Sequence, residues 1–400
     1  MLRNVVLFAF LTTMGTMPLC AQLIERTVLP SQTDSLIDGL DLPHYIYRDT
    51  GATPKNRLMV FFPGTNGAPE DYRLFQQTAA SLGYHSIGLC YENRNSINLE
   101  VCPLTFDPSC HGRARAEIWL GTDLHDSLAV DGPNSVVYRL LRLIRYLDDA
   151  YPDEGWGQYL SGDTAVHWPQ LVLAGHSQGG GHAAFGSRLF PVQRVIMFSW
   201  IDWLRPGRNP DWILAPGPTP DSAYYGFIHT GDANIYNGIP TTWENFGMAA
   251  YGPITAVDTL ERPYGRTHSL ISSAPIDSAN TIPNFHNVTV VDWMTTLDDD
   301  TGAPVYRPVW KYLLGEEGDL TSIRTVLPPA DIRLFPNPTN GRVLLEGDIP
   351  QRVELIAPTG QPLDHWTAAR QVDLSAYPAG WYLLRIYTAE GMAVRRVVKY

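Results

Sequence analysis

Leu171-Val172-Leu173-Ala174-Gly175-His176-Ser177-Gln178-Gly179-Gly180-Gly181-His182-Ala183-Ala184-Phe185 is the stretch on which the reading of this chain turns. Four apolar residues lead into a G-x-S-x-G turn, and small residues follow it, which predicts a buried strand, a sharp corner and a helix. Such a corner strains the backbone so that the Ser177 hydroxyl stands clear of the sheet. The flanking glycines are required where side chains would strike the neighbouring strand and helix. A helix starting there also aims backbone N–H groups at developing negative charge. A glycine-rich corner with an incidental serine would share the five residues, but the flanking strand and helix patterns favour a nucleophile.

A serine hydroxyl is a weak nucleophile at neutral pH, so it needs a base within hydrogen-bond reach and a group that orients that base. On a sheet of this kind the chain order is nucleophile, acid, histidine. Asp232 follows the apolar run Tyr225–His229 in a loop, and it is the preferred acid; Asp202, after Val195–Trp200, is the alternative. His286, in Phe285-His286-Asn287-Val288, is the preferred base, with His268 and His229 as competitors. The oxyanion hole is expected from the backbone N–H of Gln178 and one N–H of the turn Pro63-Gly64-Thr65-Asn66-Gly67, Thr65 first and Gly64 next. That turn lacks the G-K-[ST] ending of a phosphate-binding loop.

Outward from the serine, short apolar runs alternate with helical patterns. Leu58–Phe62, Ser86–Tyr91, Leu171–Ala174, Val195–Ser199 and Tyr225–His229 read as strands. Tyr72–Leu82 reads as a helix, and Val136, Leu140, Ile144 and Leu147 recur at helical spacing. Continuous apolar strands between helices predict an α/β fold with a mostly parallel sheet covered on both faces. The character changes after Tyr312. Residues 315–332 read as a linker, and 333–400 as short alternating strands of a small C-terminal β-sandwich.

The chain has 400 residues, 44% hydrophobic and 18% charged, with a formal net charge of −12. It can bury a sizeable core, and its acidity without a basic stripe argues against nucleic acid as a partner. Residues 1–21, charged and then apolar and ending Cys20-Ala21, read as a secretory leader, and no run reaches the length of a membrane span. Lipidation of Cys20 is the minor reading, because Leu19 stands where a small residue is expected. In an exported protein Cys102 and Cys110 are expected to form a disulfide, with Cys90 a buried free thiol, and the cysteines lack zinc-ligand spacing. Trp200, Trp203, Trp212, Tyr224, Tyr225 and Trp243 are candidates to line the mouth of the site, under a cap drawn from Cys90–Gly132.

Two resemblances add to this reading. Pro63–Gly67, Tyr91–Cys110, Arg115–Gly121, Gly175–His182 and His286–Asp292 make the segment from Leu58 to about Asp292 similar to the α/β-hydrolase superfamily, within a branch of secreted hydrolases. That resemblance implies residues 22–314 as a catalytic domain of α/β-hydrolase fold. It further implies ester hydrolysis through an acyl-enzyme on Ser177, His286 and Asp232, without metal or organic cofactor. The substrate is then a small-molecule or polymer ester; a peptidase or amidase, or a non-catalytic binding protein, are the other readings. The tail, with Phe335-Pro336-Asn337-Pro338-Thr339-Asn340-Gly341, Gly380-Trp381-Tyr382 and a basic last strand, resembles the C-terminal sorting domain of the type IX secretion system of Bacteroidetes. This implies that secretion machinery is a partner and that the protein passes through the periplasm to the cell surface or beyond. A glycan-binding sandwich is the other reading of the tail.

Overall fold

The computed structural model describes residues 22–103, 105–162, 164–204, 208–276, 284–316, 332–357, 362–388 and 392–400. The expected leader, and the expected linker apart from its ends, lie outside them. Two compact units divide the chain, Met1–Gly318 and Asp319–Tyr400.

The first unit is built on a nine-stranded sheet of β1 (Leu23–Val28), β2 (His44–Asp49), β3 (Leu58–Phe62), β4 (His85–Gly88), β5 (Leu171–His176), β6 (Arg194–Phe198), β7 (Tyr224–His229), β8 (Thr255–Ala256) and β9 (Ser269–Ser272), in the order β1-β2-β4-β3-β5-β6-β7-β9-β8. Pairing is parallel from β4 to β8, and β2 runs antiparallel to both β1 and β4. The helices that matter for the site are α1 (Arg73–Ser81), α2 (Cys110–Leu120), α3 (Val136–Ala150), α4 (Gln178–Leu189) and α5 (Arg307–Leu313).

Successive residues of a strand face opposite sides, and here both sides are covered. Leu58, Val60, Phe62, Leu171 and Leu173 join one core with Leu140, Leu143 and Leu147 of α3 and Ala183 and Ala184 of α4. Met59, Phe61, Val172 and Ala174 join the other with Phe75 and Ala79 of α1 and Trp310 and Leu313 of α5. This is why β3 and β5 read as unbroken apolar runs. The N-terminus of α3 is closed by Ser135, whose side chain accepts the Tyr138 N–H.

The second unit holds β10 (Ile332–Phe335), β11 (Arg342–Gly347), β12 (Pro350–Ile356), β13 (Pro362–Thr367), β14 (Gln371–Asp373), β15 (Gly380–Thr388) and β16 (Met392–Lys399). They form two antiparallel sheets, β10-β11-β14 and β13-β12-β15-β16. Val343 and Leu345 from the first share a core with Val353, Leu355, Leu384 and Ile386 from the second. Among the described residues no helix is long and apolar enough to cross a membrane.

Candidate active site

At the end of β5 the chain turns into α4 through Ser177, whose φ is 52° and ψ −126°. A positive φ is costly for any residue with a Cβ, so the surroundings must hold it. The Ser177 N–H donates to the Phe198 carbonyl at 2.9 Å, which fixes the corner to β6. Gly175 lies against the backbone of Gly179 and Gly179 against that of Phe62, so neither position has room for a Cβ. The first N–H groups of α4 have no partner within the helix and are available to an anion in front of Ser177.

Asp232 follows β7, and His286 lies in the turn that precedes Val288–Val291. The two meet at 2.6 Å between Nδ1 of His286 and Oδ2 of Asp232. Asp232 is buried, and the His286 side chain is 32% exposed. Facing a carboxylate, Nδ1 carries the proton and donates it, so Nε2 is left as an acceptor. Ser177, Asp232 and His286 line one cleft of about 740 Å³, together with Thr65 and Gln178. Among the described residues the Ser177 hydroxyl has no hydrogen-bond partner. Serine–histidine bonds are often long before substrate arrives.

The competing candidates are elsewhere or otherwise engaged. Asp202 is buried below α4 and takes two hydrogen bonds from Arg115, at 2.7 and 2.6 Å, and one each from the indoles of Trp200 and Trp212. Burial would raise its pKa, but the Arg115 charge and hydrogen bonds prevail and hold it at about 2. Arg115 also donates to the Gln178 carbonyl at 3.1 Å, so this pair buttresses the first turn of α4. His229 shapes the turn before Asp232: its Nδ1 accepts the Gly231 N–H at 3.0 Å, and Nε2 donates to the Ala274 carbonyl at 2.9 Å. His268 is stacked between Tyr225 and Tyr251, with burial holding its pKa down at about 4.

The loop after β3 is tied down nearly everywhere. The Gly64 N–H donates to Tyr72 Oη at 3.1 Å, Asn66 N–H to the Asn93 carbonyl at 3.1 Å, and Gly67 N–H to the Gly64 carbonyl at 3.0 Å. The Asn93 side chain donates to the carbonyls of Gly64 and Gly67 at 2.7 and 2.9 Å. Gly64 is therefore spoken for, and Thr65 is left with an uncommitted N–H. Gln178 adds a side-chain clasp: its Oε1 accepts from the Thr65 hydroxyl at 3.0 Å and the Ile97 N–H at 2.8 Å, and its Nε2 donates to the Asn95 carbonyl.

Beneath the site runs a hydrogen-bond chain. His176 is buried, and desolvation first, then the neighbouring His286, lowers its pKa to about 3. Its neutral ring meets the His286 carbonyl through Nε2 at 2.8 Å and Tyr72 Oη through Nδ1 at 3.1 Å. A carbonyl only accepts, so Nε2 carries the proton and Nδ1 accepts from the tyrosine, whose oxygen accepts the Gly64 N–H. One directed chain thus links the loop of Thr65 to the backbone of His286.

Of the aromatic candidates, Trp200 and Trp203 line the cleft. Trp212, Tyr224, Tyr225 and Trp243 are buried packing residues. Trp293 also lines the cleft, which the sequence reading missed. From the expected cap, Ser96–Glu100 reach the cleft, and α2 packs into the body with Arg115 alone among its residues lining the cleft. Cys102 and Cys110 are joined by a disulfide, and Cys90 is buried and free. His125 lies 3.3 Å from the Cys110 sulfur, and these three are the described group whose spacing would suit a metal ion; a disulfide withdraws the two thiolates from that role. Neither a scan against protein-family models nor a search of curated proteins finds a match to this chain.

Asn93, Tyr72, His176 and Arg115 were missed as supporting residues, because the spacing that recruits them exists only after folding. The Tyr72 position alone carried a signal, nine residues from Pro63 at the mouth of the helix that follows the loop.

Proposed function

We propose that this protein is a serine hydrolase of α/β-hydrolase fold that cleaves carboxylic esters, with Ser177 as nucleophile, His286 as base and Asp232 as its orienting acid. The observation that carries this is the 2.6 Å bond from His286 to Asp232 in the cleft that also holds Ser177 at its positive-φ corner. Ser177 Oγ attacks the ester carbonyl carbon while Nε2 of His286 takes its proton. The resulting oxyanion is received by the N–H groups of Thr65 and Gln178, which are fixed in place before substrate arrives. Collapse breaks the ester C–O bond, and the leaving alcohol takes the proton from His286. Water then attacks the acyl-Ser177 carbon, giving its proton to His286. The second collapse releases the acid and returns a proton to Ser177.

The tail motifs Phe335–Gly341 and Gly380–Tyr382 support export, and the Cys102–Cys110 disulfide suits an oxidising compartment. The nucleophile is tested by labelling with a fluorophosphonate probe and the ester chemistry by p-nitrophenyl acetate hydrolysis. The wild type is expected to label and to hydrolyse p-nitrophenyl acetate, and Ser177→Ala and His286→Ala are each expected to abolish labelling. A well-folded wild type that does not label would overturn the triad and leave a binding protein.

A further inference from the structure

In the first unit every tryptophan is buried except two, Trp203 at 37% and Trp293 at 62% exposure, and both line the cleft of Ser177. They come from different segments. Trp203 stands two residues after Ile201, whose carbonyl accepts from the Asn98 side chain, and Trp293 directly follows Asp292, whose N–H donates to the Asp71 carbonyl. Among the described residues neither indole has a ring partner or a hydrogen bond. The side-chain amides of Asn66 and Asn287, in the same lining, have no hydrogen-bond partner either. Large apolar faces left in water beside a reactive serine indicate a ligand that covers them.

The chemistry of that ligand follows from what surrounds the indoles. Asp71 and Glu100 line the cleft, and its one lysine or arginine among the described lining residues, Arg115, is held by Asp202. A negative rim with no available cation disfavours an anionic ligand. A saturated acyl chain would cover the indole faces but would leave the indole N–H groups and the amides of Asn66 and Asn287 facing hydrocarbon, at a cost. A sugar ring satisfies both demands, with apolar C–H faces for the indoles and hydroxyl edges for the amides.

We propose that the rim formed by Trp203, Trp293, Asn66 and Asn287 is a binding site for a neutral saccharide, which supplies the alcohol half of the ester. The inference rests on Ser177 being the nucleophile, but its test does not. Ser177→Ala protein, which cannot turn over, is titrated with neutral xylo-, manno- and cello-oligosaccharides and with an oligogalacturonate, following indole fluorescence and heat. At least one neutral oligosaccharide is expected to bind and perturb the indole emission, with the galacturonate weaker. Adding Trp203→Ala or Trp293→Ala is expected to weaken that binding about tenfold or more. No binding of any neutral oligosaccharide at millimolar concentration, or binding unchanged in both tryptophan variants, overturns the proposal. If the Ser177→Ala protein binds lauroyl-ester micelles, loses that binding on adding Trp203→Ala or Trp293→Ala, and binds no saccharide, the proposal is overturned in favour of an acyl-chain site. Fluorophosphonate labelling of the wild type reports separately on the nucleophile, so the two failures are distinguishable.

Discussion

Two acids close in sequence terms, Asp202 and Asp232, have opposite expected phenotypes. Asp232→Asn keeps a buried polar side chain in place but no longer holds Nδ1–H of His286, so kcat is expected to fall by about 10⁴ with the unfolding midpoint nearly unchanged. Asp202→Asn strands Arg115, a fully buried cation, and is expected to cost about 3–5 kcal/mol of stability. Paired urea melts and p-nitrophenyl acetate kinetics separate them; a stable, inactive Asp202→Asn would exchange the two assignments. Tyr72 is a positioning residue in the same sense. Tyr72→Phe removes one hydroxyl and leaves both the Gly64 N–H and Nδ1 of His176 without their partner. A stability loss of about 1–3 kcal/mol is expected, since buried groups are left unpaired. If the chain also sets the Thr65 loop against His286, kcat falls about tenfold with KM little changed, because the oxyanion is felt only in the transition state. A variant that loses stability yet keeps kcat would reduce Tyr72 to packing.

At the scale of elements, Asp292 reaches from the segment after His286 to the N-terminus of α1, where its carboxylate accepts the Leu74 N–H at 3.2 and 3.3 Å. Burial raises its pKa from 3.8 to about 7, against the pull of the Leu74 and Arg73 backbone N–H groups and the Arg73 charge, and with the help of Asp71. A folded-state pKa above the unfolded value means that this group stabilises the fold fully below about 3.8, and that its contribution is lost as pH rises through about 7. Wild-type stability minus that of Asp292→Asn, from urea melts at a series of pH values, is therefore expected to fall across that window. A difference that stays flat, or rises, would mean that the helix end keeps the carboxylate charged. Elements also show what a sequence can reveal. Leu58–Phe62 and Leu171–Ala174 were legible because a strand covered on both faces has no polar positions to blur it. The edge strand β1 was not read, because Leu23-Ile24-Glu25-Arg26-Thr27-Val28 alternates with charges where one side meets solvent. The expectation that Asp232 and His286 act together comes from order along the chain, and folding does bring the two into hydrogen-bond contact. Asn93 and Arg115 were not legible, since Asn93 acts on residues 26 and 29 positions away and Arg115 on residues 63 or more away.

The whole molecule contains apolar cores that do not mix: those around Leu173 and Phe61 lie in the first unit, and the one around Val353 and Leu384 lies in the second. The second unit closes on itself through its motif turn. Asn337 accepts the Val398 N–H at 2.9 Å and donates to the Arg396 carbonyl at 2.7 Å, and the Thr339 N–H donates to the Val398 carbonyl at 2.8 Å. The F-P-N-P-x-x-G stretch thus behaves as a side-chain-built extension of the sheet along β16, which gives the asparagine a structural reason to stand between two prolines. Units with separate cores unfold separately unless an interface couples them. Scanning calorimetry of the full chain is therefore expected to show two transitions, one of which alone responds to Asn337→Ala. That substitution removes two hydrogen bonds at the edge of β16 and should lower the smaller transition by an amount equivalent to about 1–2 kcal/mol. Fluorophosphonate labelling should survive heating past the smaller transition and disappear with the larger one, since Ser177, Asp232 and His286 all belong to the first unit. A single transition that moves as a whole with Asn337→Ala would instead require the two cores to be energetically coupled, and the tail would then stabilise the fold that carries the serine.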